Sequence, residues 1–123
     1  MNKKSNKQLA KEIINREIAA LRRTTKLLDS KFERACEAIL SNKGKVITLG
    51  VCKSSFIAMK MAATLSSTGT AALFLHPLDA LHGDVGVIKK NDVVIIYSNS
   101  GETQEVIKLL PLLKLLKCCI ISI

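Results

Sequence analysis

A three-layer α/β fold, with a parallel sheet between helices and further helices ahead of it, is what this 123-residue sequence predicts. Two observations predict it. Short apolar runs rich in β-branched residues alternate with longer stretches whose apolar residues recur at helical spacing, and such alternation implies right-handed crossovers between parallel strands. The runs are also apolar at consecutive positions, as in Val93-Val94-Ile95-Ile96-Tyr97. A strand covered on both faces reads this way, whereas a half-exposed strand alternates.

The elements follow in order. Leu9, Ile13, Ile18, Leu21, Thr25, Leu28, Phe32, Ala35 and Ile39 keep a helical stripe through the first forty residues. Ser30-Lys31-Phe32-Glu33 has the form of a capping box and divides this region into two helices near Asp29. Asn42-Lys43-Gly44 stops the second helix. Residues 46–49 read as the first strand, 54–67 as a crossover helix with Ile57, Met61 and Leu65 inward, and 72–75 as the second strand. A short helix over 77–81 and a turn around Gly83 and Gly86 lead to the third strand, 93–97. Residues 103–116 form the second crossover helix, bent at Pro111, which lacks one N–H for the helical ladder. Residues 118–123 are a fourth strand with no covering helix after it, so the sheet is expected to be truncated there. Residues 1–43 are then amino-terminal helices and 44–123 an incomplete sheet domain.

Composition narrows the function. The net charge of +9 is uneven: residues 1–45 hold twelve Lys and Arg against five Asp and Glu, and residues 46–123 seven against five. The excess lies on the helices, and aromatic residues at 3% give no stacking platform for single strands. A solvated helix face accounts for it, and nucleic acid is not an expected partner. Cys36, Cys52, Cys118 and Cys119 lack zinc-type spacing. Residues 1–11 lack the apolar core of a signal peptide, so reduced thiols in a cytoplasmic protein are expected. Residues 109–123 are apolar but contain Pro111, Lys114 and Lys117, and they fall short of the ~20 residues of a membrane helix. No membrane partner is expected.

Two turns carry the chemistry. After the third strand, Ser98-Asn99-Ser100-Gly101-Glu102-Thr103 gathers hydroxyls and backbone N–H groups at a helix start, where the dipole and unpaired donors favour an anion. Gly101 lets the backbone approach a ligand, and a dianionic phosphate on a small metabolite is the natural guest. A plain helix cap is the alternative, although one cap needs only one such residue. After the first strand comes Gly50-Val51-Cys52-Lys53-Ser54-Ser55. It has neither the Gly-x-Gly-x-x-Gly of dinucleotide binding nor a phosphate-loop lysine motif. Lys53 can neutralise a phosphate or a developing oxyanion, or it is simply a solvated loop lysine.

These turns, with Gly44-Lys45-Val46, Lys60-Met61-Ala62-Ala63-Thr64, Ser67-Thr68-Gly69-Thr70, His76-Pro77, Ala80, His82-Gly83-Asp84 and Asp92-Val93-Val94-Ile95, resemble the sugar isomerase (SIS) domain family. The likeness runs from about Ala35 to Lys117 and is nearest to arabinose-5-phosphate isomerases. The resemblance implies a flavodoxin-like domain with strand order 2-1-3-4. It also implies interconversion of D-arabinose 5-phosphate and D-ribulose 5-phosphate through an enediolate, feeding synthesis of the acid Kdo for lipopolysaccharide, in a homo-oligomer. By position, Lys53 and Glu105 match catalytic residues. Ser54, Gly69, Thr70, His76, His82, Ser98, Asn99, Ser100 and Thr103 match substrate contacts. Glu102 joins the substrate set because it lies three residues from Glu105 on one helix face; its alternative is simple charge at a helix N-terminus. His76 also matches a position associated with a divalent metal, which turnover does not require. Its alternative is to stabilise the turn before Pro77.

The chain departs from the family at Cys52 and Ser55, where the family has glycines. A fifth strand, further helices, two more catalytic residues (one a histidine) and paired CBS domains have no counterpart in it. The rival expectations are therefore a non-catalytic sugar-phosphate-binding module or an inactive gene fragment.

Overall fold

The computed structural model describes residues 4–123. The chain divides into two compact units, one reaching to Arg34 and the other running from Ala35 to Ile123. In the first, α1 (Asn6–Thr24) begins at a reciprocal cap: the Ser5 hydroxyl accepts from Gln8 N–H at 3.2 Å, and the Gln8 side chain accepts from Ser5 N–H at 2.8 Å. None of its residues is buried. A turn of 3₁₀ helix, Thr25–Leu27, precedes α2 (Ser30–Leu40). The cap of α2 corrects the expected Ser30 box. Asp29 does the capping, its carboxylate accepting Lys31 N–H at 2.8 Å and Phe32 N–H at 3.4 Å. A carboxylate at a helix start satisfies orphan donors and also meets the positive end of the dipole.

The second unit takes in the last turns of α2 and places Ile39 against the sheet, whereas the sequence pattern put the break after residue 43. Its elements are β1 (Val46–Gly50), α3 (Lys53–Ser67), β2 (Ala72–Phe74), α4 (Pro77–Leu81), β3 (Val93–Tyr97), α5 (Gln104–Leu116) and β4 (Cys119–Ser122). The four strands are parallel in the order β2-β1-β3-β4, with Val46 opposite Val93 and Gly50 opposite Tyr97. Fold and order are those expected. Alternate residues of the central strands serve two cores, because side chains in a strand point to opposite faces. Ile47, Leu49, Val94 and Ile96 pack with Val106, Leu109 and Leu113 of α5 and Ala80 of α4. Val46, Val93 and Ile95 pack with Met61 and Leu65 of α3.

Helix α3 lies on the sheet through the small residues Ser55, Ala58 and Ala62, and the buried Thr48 hydroxyl donates to the Ala58 carbonyl at 2.8 Å. Ile57, expected inward, is exposed. It is one residue out of phase with the Ala58 line, about 100° round the helix. Helix α5 runs through Pro111, with Leu109 and Leu113 fully buried on either side of it. At the amino ends of β1 and β3, buried Asp92 accepts from Lys45 N–H at 2.9 Å, the Lys45 ammonium at 2.9 Å and Lys89 N–H at 2.7 Å. Burial alone would raise its pKa. The hydrogen bonds from Lys45 and Lys89 and the charge of Lys45 outweigh that and hold it below the ordinary 3.8. Among the described residues no helix is long and apolar enough to cross a membrane.

Candidate functional site

Strands β1 and β3 are neighbours, yet the chain leaves them towards different faces, since α3 packs on one core and α5 on the other. The crevice at such a switch point, outside the carboxyl ends of the strands, is where open α/β sheets bind ligands. Both chemistry-bearing turns lie there.

The β3–α5 turn is held from within. The Ser98 hydroxyl accepts from Gly101 N–H at 3.1 Å and pairs with the Thr103 hydroxyl at 3.2 Å, and the Ser100 hydroxyl accepts from Glu102 N–H at 3.1 Å. Ser98 N–H donates to the Ile123 carbonyl at 3.0 Å, tying the turn to the end of β4. Gly101 has φ +70°, a conformation that favours glycine. Ser98 and Thr103 are half-buried, whereas Asn99, Ser100, Gly101 and Glu102 are exposed. Despite this supply of hydroxyls, no side chain caps α5. The plain-cap alternative therefore fails, and the first-turn N–H groups are left to water or a ligand. Glu105 is half-buried in that first turn, whereas exposed Glu102 precedes the cap residue Thr103 and lies outside the helix, so the two do not share the expected helix face.

In the β1–α3 turn, a Cβ on Gly50 would come within 2.6 Å of the Ser54 carbonyl oxygen, so the strand end and helix start approach as only glycine allows. Cys52 follows with φ 53° and ψ −124°, then Lys53, exposed at the first position of α3, and half-buried Ser54. Tyr97 stands opposite Gly50 in the register of β1 and β3 and packs against the Val46, Val93 and Ile95 cluster. Burial pushes its phenol pKa above the ordinary value.

The remaining expected residues are dispersed. His76 follows β2 at the same edge of the sheet, and its Nδ1 accepts Leu78 N–H at 3.2 Å, capping α4. That is the turn-stabilising role weighed for it. Among the described residues no group of three or more His, Cys, Asp or Glu could hold a metal ion. His82 is exposed at the other end of α4. Gly69 and Thr70 precede β2, at the amino ends of the strands, and the fold separates them from the other candidates within one chain. The sequence reading missed the structural part of Ser98 and the contact between Ser55 and Cys52. The hydroxyl at the third position of α3 was the only available signal.

The SIS domain family model matches residues 39–123. The chain belongs to the SIS domain family. Among curated relatives, this SIS domain is similar to the arabinose 5-phosphate isomerase KdsD of Pseudomonas aeruginosa, 52% identical over 91 residues that cover 74% of this chain and 28% of that protein. KdsD of Francisella tularensis is 50% identical over 117 residues, 93% of this chain and 36% of that one. The chain thus spans about a third of the length of these relatives. A solved Escherichia coli CFT073 protein in complex with arabinose 5-phosphate aligns with a TM-score of 0.80 and 41% identity, over 97% of this chain and 65% of that chain.

Proposed function

We propose that this SIS domain binds a pentose 5-phosphate and belongs to an aldose–ketose isomerase that interconverts D-arabinose 5-phosphate and D-ribulose 5-phosphate. The observation that carries this reading is the uncapped start of α5 behind the Ser98–Thr103 turn, at the switch point of the sheet. Its likeness to KdsD proteins and to a chain solved with arabinose 5-phosphate supports the choice of sugar. The phosphate sits against the first-turn N–H groups and the hydroxyls of the turn, where dipole and donors favour an anion. Aldose–ketose exchange moves a proton between two adjacent carbons through an enediolate. The Glu105 carboxylate carries that proton, and the Lys53 ammonium stands beside the oxygen that gains charge. A cytoplasmic homo-oligomer in the supply of Kdo accompanies this reading.

Binding without turnover is the second reading, and Cys52 favours it: a side chain occupies the turn where the family has glycine. Thermal unfolding tests the shared part. Arabinose 5-phosphate at one hundred times its dissociation constant should add about 2.7 kcal/mol of stability, and arabinose should add none. Ser100→Ala and Thr103→Val should shrink the effect. An equal response to the sugar with and without phosphate would remove the basis of the proposal. Ribulose 5-phosphate formation that falls about 10²–10⁴-fold in Glu105→Gln separates catalysis from binding alone.

A further inference from the structure

Cys52 occupies φ 53°, ψ −124°, a conformation that L-residues rarely adopt and that persists only where the surroundings impose it. The surroundings here are Ser55. The Cys52 carbonyl accepts twice from that one residue, from its N–H at 3.1 Å and from its hydroxyl at 2.5 Å. Ser55 is only 9% exposed, so its hydroxyl has little water to turn to. Gly50 packs against the backbone of Ser54 and Ser55 from below, which fixes the residue that does the holding.

We infer that Ser55 is a positioning residue: its hydroxyl locks the Cys52–Lys53 peptide and so allows a cysteine to stand in a glycine-type turn at the mouth of the candidate site. The relaxed alternative for Cys52 is to rotate this peptide. That would swing its carbonyl away from Ser55, strip a buried hydroxyl of its partner and turn a carbonyl dipole towards the crevice. In the locked state the carbonyl points back into α3. Because the peptide is trans, the N–H of Lys53 points the opposite way, out from the helix start. Cys52 and Ser55 then form one coupled unit. The coupling stands on this geometry alone, and its consequence for ligand binding rests on the proposed function.

A four-protein cycle on the full chain tests it: the native sequence, Ser55→Ala, Cys52→Gly and the double variant. Ser55→Ala should lower Tm by about 5 °C in the native background, the size of shift expected for one lost hydrogen bond in a domain of this length. In the Cys52→Gly background, where no strain needs holding, it should cost less than half as much. Titration with arabinose 5-phosphate should show weaker binding in Ser55→Ala, restored in the double variant, which a purely structural loss would not produce. Equal Tm losses in the two backgrounds would overturn the lock. Absence of arabinose 5-phosphate binding in all four proteins would count against the proposed function, while the Tm cycle still decides the coupling.

Discussion

Asp92 takes three hydrogen bonds in a buried position and faces the Lys45 ammonium. It is remote from the candidate site and fastens the loops before β1 and β3 together. Since its carboxyl pKa is held below the ordinary 3.8, the stabilisation is fully present above that value and is lost as pH falls through the lower folded-state value. Asp92→Ala should cost about 3 kcal/mol at neutral pH, because it leaves two backbone donors and a part-buried ammonium without their acceptor. Melting measured from pH 7 down to pH 3 should show the gap between native and variant proteins narrowing in acid. A gap independent of pH would mean that the carboxylate charge contributes nothing. Sequence spacing does not reveal the Lys45 contact, because the two residues lie 47 apart and only the parallel pairing of β1 with β3 joins them.

Helix α5 shows what periodicity can and cannot assign. Its leucines cover more than one face, and the fold buries Leu109 and Leu113 completely while leaving Leu115 77% exposed. Leu109→Ala should therefore cost about 3 kcal/mol in urea unfolding, and Leu115→Ala less than about 0.5 kcal/mol. Comparable losses at both positions would show that the outer face is covered in solution. Helix α3 makes the complementary point. Large apolar residues suggested Ile57 as an anchor, but Ala58 and Ala62 face the sheet, since a helix crossing close over strands needs small side chains at the contact.

At the scale of the whole chain, the two units differ in how they are held. The central strands β1 and β3 are almost wholly buried, whereas α1 buries no residue. Local opening free energy follows buried apolar contact. Native-state hydrogen exchange should therefore find the slowest amides in β1 and β3 and the fastest helical ones in α1. Protection of α1 equal to that of the strands would require a partner for its Leu9, Ile13 and Ile18 face, each member of which is exposed. Saturating arabinose 5-phosphate should raise protection first in the turns after β1 and β3, because those turns form the switch-point crevice.

The parallel α/β fold and the two polar turns were legible in the sequence, because each is written locally: in continuous β-branched runs, in helical stripes and in one polar cluster at a helix start; the strand order was what the family resemblance implied. The resemblance to the SIS domain family named the same turns. Tertiary structure alone decided what the polar side chains do. The Ser98 hydroxyl is spent inside its own turn, the His76 ring caps α4, and Gly69 and Thr70 fall at the far end of the sheet from Lys53. It also decided that Cys52 adopts a glycine's conformation with Ser55 as its partner. Residue type supplies hydrogen-bonding capacity, but the backbone path fixes which groups meet, and a hydroxyl already engaged by its neighbours has less to offer a ligand.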